Sequence, residues 1–248
     1  MTETIWHQQT IDSYLQALGE ANTDPAGGAQ AALLGAQACA MASMVVRFTL
    51  SNKKYAPLHE RARVWLDGLA ASQKPLLNLM QEDVRALNAM SHTWSIPKDD
   101  PTRPAKIQEA LIRGAEVPRQ MAEAIITVIP IFEELMQSGN QNLLSDSMMA
   151  AEMAASSASC ALYNIKINSK YMKNEQMKKA FNSLAGDWMK QVAEEMRAPG
   201  ASFLCLFVVC RNVKMQESPR PISGFMKRKF CGLRAAVPIM KGNKVRQG

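Results

Sequence analysis

The sequence is poor in the side chains that most often carry chemistry. Its 248 residues include three histidines, His7, His59 and His92, far apart and in segments that read as exposed. A histidine-based triad or metal centre has little to stand on, so no metal is expected. The signatures GxSxG, GxxxxGK(S/T), HExxH and GxGxxG are missing, which argues against the common nucleophile-elbow, phosphate-loop, zinc-protease and dinucleotide sites. The five cysteines are odd in number and lack close pairs, which fits a reducing, cytoplasmic compartment rather than a disulfide scaffold. Residues 1–9 carry no apolar core of the secretory kind. Aromatics make up 6%, and no run of Val/Ile/Thr alternation occurs, while Ala and Met are abundant. That composition favours helices over sheets.

Charge is unevenly placed. The net charge of +7 separates into −3 over residues 1–196 and +10 over residues 197–248, where Glu217 is the sole acidic residue. We therefore divide the chain into a helical domain, 1–196, and a basic tail, 197–248. The tail mixes Pro, Gly and basic residues without period and reads as a poorly ordered extension. A tether for nucleic acid or anionic lipid, and a segment read in a shifted frame, are the other readings of its composition.

The body reads as an all-α multi-helix bundle. Ile11, Tyr14, Leu15 and Leu18 repeat at helical spacing, and Asn22-Thr23-Asp24-Pro25 breaks the pattern. From Pro25 to Val46 no residue is charged. Such a length could span a bilayer, but its Ala, Gly, Ser and Gln content fits better a helix buried on all sides by close neighbours, with no membrane involved. A long helix follows from Pro57, with a kink expected at Pro75 and an end near Met90. Further helices are expected from Ile107, through Met121–Met136 with a bend at Pro130, over Ser145–Ile167, and from an Asn174 cap.

Four patches are unusual for a plain bundle. Gly27 and Gly28 open the uncharged helix and leave backbone N–H groups at its positive end. At its other end stand Arg47, Thr49, Lys53 and Lys54, either complements to the dipole or a dock for an anionic tail. Asp83 lies between Met80 and Leu87, on or near an apolar face, where desolvation would raise its pKa toward acid–base use. From the edge of that face it would instead reach water. Finally, Gly139-Asn140 and Ser145-Asp146 precede a helix bearing Asn164 and Asn168 one turn apart, amides that need partners or a ligand.

Taken in order, these residues resemble the formimidoyltetrahydrofolate cyclodeaminase / methenyltetrahydrofolate cyclohydrolase family. The resemblance rests on Pro25-Ala26-Gly27-Gly28-Ala29, Met44-Val45, Thr49, Lys53-Lys54-Tyr55, Asp83, Ile96-Pro97-Lys98, Val117-Pro118, Gly139-Asn140, Ser145-Asp146 and Asn164…Asn168. It implies a helical homodimer that takes a tetrahydrofolate derivative as substrate and acts on the one-carbon unit between N5 and N10. The cyclodeaminase closes the 5-formimidoyl group and expels ammonia; the cyclohydrolase adds water to the methenyl carbon. On that resemblance Asp83 is the general acid/base and Asp146 orients water or the pterin. Asn164 and Asn168 hold pterin edges, Gly27, Gly28 and Thr49 line the site, and Lys53, Lys54 and Lys98 meet the glutamate tail. The sequence departs from the PGGGS-like signature at Ala26, which disfavours positive φ, and at Ala29, which lacks a hydroxyl. A catalytically silent folate-binding or scaffold paralogue, and a helical module acting through its basic tail, are the alternative functions.

Overall fold

The computed structural model describes residues 3–21 and 24–195. The basic tail, and with it the expectation of its disorder, lies outside the described residues. Seven α-helices are present among the described residues: α1 (Ile11–Gly19), α2 (Gly27–Ser51), α3 (His59–Ser95), α4 (Arg103–Ile126), α5 (Ile129–Ser138), α6 (Leu144–Ser169) and α7 (Glu175–Glu195). There are no strands among them.

Helices α2, α3, α4 and α6 form the central bundle, each packed on its neighbours in the order α2–α3–α4–α6–α2, with α5 and α7 against α6. The small residues explain how α2 and α6 approach. Ala32, Ala36, Ala38 and Ala42 of α2 share one core with Ala150, Ala154, Ala158 and Ala161 of α6, all essentially inaccessible. A Cβ at Gly35 would meet Ile125 Cδ1 at 2.5 Å and Ser157 Oγ at 2.7 Å, so only glycine fits this crossing. Ser157 Oγ donates to the Ala31 carbonyl at 2.7 Å, a polar clasp inside the seam. Bulk comes from the other helices: Trp65, Leu69, Leu76 and Met80 of α3, Met121 and Ile125 of α4, and Ile129, Phe132 and Leu135 of α5.

The structure corrects several sequence expectations. Helix α3 runs unbroken through Pro75 and ends five residues later than expected, at Ser95. Helix α4 likewise continues through Pro118. The break falls instead at Thr127–Val128, and Pro130 sits at the start of α5, where its missing N–H has no helical partner to lose. Asn174 does cap α7, its Oδ1 accepting from Met177 N at 3.1 Å. Helix α2 is apolar enough to cross a bilayer, with a mean hydropathy of 1.5, yet 61% of that window is buried in the bundle. It is not enclosed on all sides: Gln37, Ala40, Met44 and Phe48 lie on an uncovered face.

Candidate active site

The site begins at the first turn of α2. Ala26 precedes the helix in extended conformation, φ −135° and ψ −170°, and its carbonyl accepts from Gln30 N at 3.1 Å. Positive φ is not required there, so alanine for glycine at position 26 carries no backbone strain. Gly27 is exposed and has open space where a side chain would stand. Gly28 is different: a Cβ on it would run into the carboxyl group of Asp83. The glycine thus lets a carboxylate from the middle of α3 lie directly against the α2 backbone, where Asp83 accepts the N–H of Ala29. Ala29 N is one of the first-turn donors that no helical carbonyl satisfies.

Burial pushes the Asp83 carboxyl up to about 6, and the Ala29 hydrogen bond opposes this only in part. The positive end of α2 favours the anion too, but removal from water prevails. The neighbouring carboxylates behave otherwise. Glu3 accepts from Arg85 at 2.8 and 2.7 Å and from Gln81 Nε2 at 2.9 Å, and these bonds hold it down at about 2. Glu82 accepts from Arg85 at 2.6 Å and pairs with Arg113 of α4. The chain Glu3–Arg85–Glu82–Arg113 therefore cancels its own charges beside Asp83. What is left is one proton-exchanging group poised close to neutrality, the condition for general acid–base work.

An N-terminal strap closes this end. Trp6 N donates to Gln81 Oε1 at 3.3 Å, Trp6 Nε1 donates to Asp24 Oδ1 at 2.5 Å, and the indole packs edge-on to Tyr14 at 6.0 Å. Tyr14 and Gln30, which sequence reasoning did not single out, belong to this layer. Tyr14 was legible only as one more apolar-face residue of α1.

Asn164 and Asn168 project from α6 at the same end. Asn168 Nδ2 donates to the carbonyls of Gly114 at 2.8 Å and Asn164 at 2.9 Å, clasping α6 to α4. A Cβ at Gly114 would meet Asn168 Oδ1 at 2.9 Å. The Asn168 amide is thus engaged within the fold, and Asn164 remains the better placed of the pair to meet a ligand.

The rest of the expected constellation lies elsewhere. Thr49 sits 21 residues after Gly28 on the same helix, about 32 Å away at the rise of an α-helix. It is fully buried, so it does not line a binding surface as expected. Its hydroxyl accepts from Asn140 N at 3.1 Å and donates to the Val45 carbonyl at 2.9 Å. With Tyr55, whose hydroxyl accepts from Gln141 N at 2.9 Å, it holds the Gly139–Gln141 loop against the end of α2. Lys53 and Lys54 are exposed there, and Asp146 lies half-buried in the first turn of α6. Lys98 is exposed beyond α3, on the order of 20 Å past Asp83 along that helix. One chain therefore unites Gly27, Gly28, Asp83, Asn164 and Asn168 at one end, and Thr49, Lys53, Lys54 and Asp146 at the other. Among the described residues no three His, Cys, Asp or Glu side chains converge as metal ligands would.

Fold and site together define an all-helical protein built around a half-buried, proton-exchanging carboxylate at a helix N-terminus. Residues 10–187 match the model of the formiminotransferase-cyclodeaminase family, and the chain belongs to that family. It is 31% identical over 166 residues to the methenyltetrahydrofolate cyclohydrolase of Methylorubrum extorquens, covering 65% of this chain and 80% of that protein. It is 30% identical over 173 residues to the formimidoyltransferase-cyclodeaminase of Rattus norvegicus, covering 68% of this chain but 32% of that longer protein. The fold is shared with the crystal structure of formiminotetrahydrofolate cyclodeaminase from Thermotoga maritima. The TM-score is 0.70 at 23% identity, over 76% of this chain and 92% of that one. The relatives are named as folate one-carbon enzymes, in keeping with the resemblance carried by the sequence motifs.

Proposed function

We propose that this chain is a folate-dependent one-carbon enzyme acting at the N5–N10 bridge of tetrahydrofolate, with Asp83 as its general acid/base. The observation that carries the reading is the Asp83 carboxyl, seated on the Ala29 N–H and raised to about 6 by burial. Both family reactions pass through a tetrahedral carbon between ring nitrogens and need a proton moved at a fixed point. As a carboxylate, Asp83 takes a proton from the attacking water or amine; as the acid, it returns one to the departing nitrogen. In hydrolysis, water adds to the methenyl carbon and the C–N5 bond breaks. In cyclodeamination, N10 attacks the formimidoyl carbon and ammonia leaves. Hydrolysis is the reading we favour, since the cyclohydrolase relative is matched over most of its length.

The acting unit is a homodimer. The outward face of α2 exposes Met44 and Phe48, the latter 52% accessible, beside Arg47 near the end of the helix, while α6 exposes Met149, Tyr163 and Ile167. Exposed large apolar side chains on two adjacent helices suit burial against a second copy. A two-fold axis across α2 would carry Asp146, Lys53 and Lys54 of one copy toward Asp83 of the other. That reunites the two halves of the constellation and gives the folate glutamate a cationic partner.

The test is the decay of 5,10-methenyltetrahydrofolate, followed against its uncatalysed rate with wild-type protein and Asp83→Asn. Catalysis by the wild type that falls about 100-fold or more in the variant supports the assignment. Equal rates in the two proteins would sink it. Ammonia release from 5-formimidoyltetrahydrofolate decides between the two reactions.

A further inference from the structure

We propose that the cavity between α1 and α2 is a socket for Phe48 of a second copy, held in register by Arg47 of that copy facing Glu152; this rests on the dimer proposed above. The cavity has a volume of about 180 Å³ and is walled by Trp6, Tyr14, Leu33 and Met80. Ile11 and Leu15 of α1 also line it, yet they are 78% and 56% exposed, large apolar side chains left in water. On α2 the lining residues are Gln30, Leu33 and Gln37. They begin a stripe that continues through the uncovered Ala40, Met44 and Phe48. Phe48 follows Gln30 by 18 residues, five full turns, so cavity and aromatic ring face the same way on one helix.

A knob and a socket on one stripe fit each other when two copies meet across a two-fold axis, because such a contact sets the helix against itself in reverse. Phe48 and Leu33 are equidistant from the point between Ala40 and Met41, about 11 Å either way. An axis through that point seats Phe48 of each copy over Leu33 of the other. Ala40, exposed and carrying only a methyl group, stands where the two helices come closest. Side chains lean toward the N-terminus of their helix, which carries the ring from Leu33 toward Gln37 and keeps it within the cavity.

The charges agree with this register. Arg47 is the one charged residue of α2, and among the described residues it makes no ion pair or hydrogen bond. It follows Ala29 by 18 residues and so points to the α3 side of α2, where the Ala29 N–H meets Asp83. The two-fold axis turns that side of one copy over α6 of the other. On α6, Ser157 lies level with residues 31–35 of α2, which it meets. The two helices run in opposite directions, since Thr49 near the end of α2 binds Asn140 just before α6. Glu152, five residues before Ser157, is therefore level with about residue 38 of α2. Arg47 of the second copy comes level with residue 34 and leans from there toward Glu152, about 6 Å further on. Glu152 is half-buried, and its Oε1 has no partner among the described residues. The same register brings Lys53 and Lys54 of one copy roughly level with Gly27 and Gly28 of the other, at the Asp83 end.

The experiment places p-benzoyl-phenylalanine at position 48 of the full-length protein and irradiates it, and peptide mass spectrometry maps the adducts. Attachment to Leu33, Met80, Ile11 or Leu15 of the other copy is the expected result. Attachment to α6 or to residues 44–51 of α2, or none at all in a protein that sediments as a dimer, overturns the socket. A second arm exchanges the charges and decides alone should the larger side chain prevent assembly. Arg47→Glu and Glu152→Arg are each expected to raise the dimer dissociation constant at least about tenfold by sedimentation, and the two together to restore it to within about threefold of wild type. Losses that simply add overturn the pairing. Wild-type protein that sediments as a monomer refutes the dimer itself. Neither arm depends on turnover, so a protein inert toward methenyltetrahydrofolate would refute the functional reading while leaving the socket to be judged on its own.

Discussion

Gly28 and Asp83 are in direct contact across two helices: the carboxyl group of one occupies the space where the other would carry a Cβ. A backbone position and a catalytic candidate are thereby made interdependent. Adding one methyl group at Gly28 moves a carboxylate.

The first prediction follows from that contact. Gly28→Ala should drive Asp83 off the Ala29 N–H, lowering turnover of methenyltetrahydrofolate toward the level of Asp83→Asn. It should also destabilise the fold by about 1–3 kcal/mol through overpacking. Gly27→Ala, one residue earlier, meets open space and should keep wild-type stability within about 0.5 kcal/mol. Urea unfolding and initial rates on both variants check the contrast, and equal behaviour of the two would refute it.

The second concerns pH. The ordinary value for Asp83 is 3.8, and burial raises it to about 6 in the folded chain. Between those values the folded protein keeps a proton that the unfolded chain has released. The stability tied to Asp83 is thus fully present below about pH 4 and lost as pH rises through about 6. Two units correspond to about 3 kcal/mol. Asp83→Asn retains an acceptor for Ala29 N–H and cannot ionise. It should therefore unfold at higher urea than wild type at pH 8, by up to about 3 kcal/mol, with the gap closing at pH 4. A constant gap across that range would contradict the raised carboxyl.

Much of this was readable from sequence, and the failures are instructive. The Gly27-Gly28 start and the desolvated Asp83 follow from local pattern, because both depend on helix periodicity and a missing side chain. Pro75 and Pro118 both lie inside continuous helices, because a helix held on a packed bundle can absorb a proline that would break it alone. Thr49 and Asn168 are ambiguous in sequence for another reason: polar side chains on apolar helices need partners, and sequence does not say whether a carbonyl or a ligand provides them. Tyr14 was hidden because a phenol within an apolar stripe looks like any core residue until its hydroxyl has a neighbour.

The third prediction uses Thr49. Thr49→Val keeps the shape and removes the acceptor for Asn140 N–H, a donor in a buried setting. Stability should fall by about 1–3 kcal/mol, the cost of an unsatisfied buried donor. Hydrogen exchange at Asn140 and Gln141 should accelerate while Asp83 titrates as in wild type. Unaltered exchange at both amides would show that Thr49 does not hold the loop.

The last prediction tests whether the two ends of the bundle meet across a dimer. Within one chain Asp83 and Asp146 stand at opposite ends of the α2–α6 pair, so neither helps the other directly. If a second copy supplies the missing end, Asp83→Asn and Asp146→Asn homodimers are each inactive for a different reason. Unfolding and refolding the two variants together produces mixed dimers, in which one site carries both substitutions and the other carries neither. At statistical mixing half the dimers are mixed, and one site in two is intact. About a quarter of wild-type activity should then return. Phe48→Glu, which places a charge on the uncovered face of α2, should yield monomers by sedimentation and abolish that recovery. Failure of the mixture to regain activity, with mixed dimers demonstrated, would confine each site to a single chain and leave Asp83 to act without Asp146.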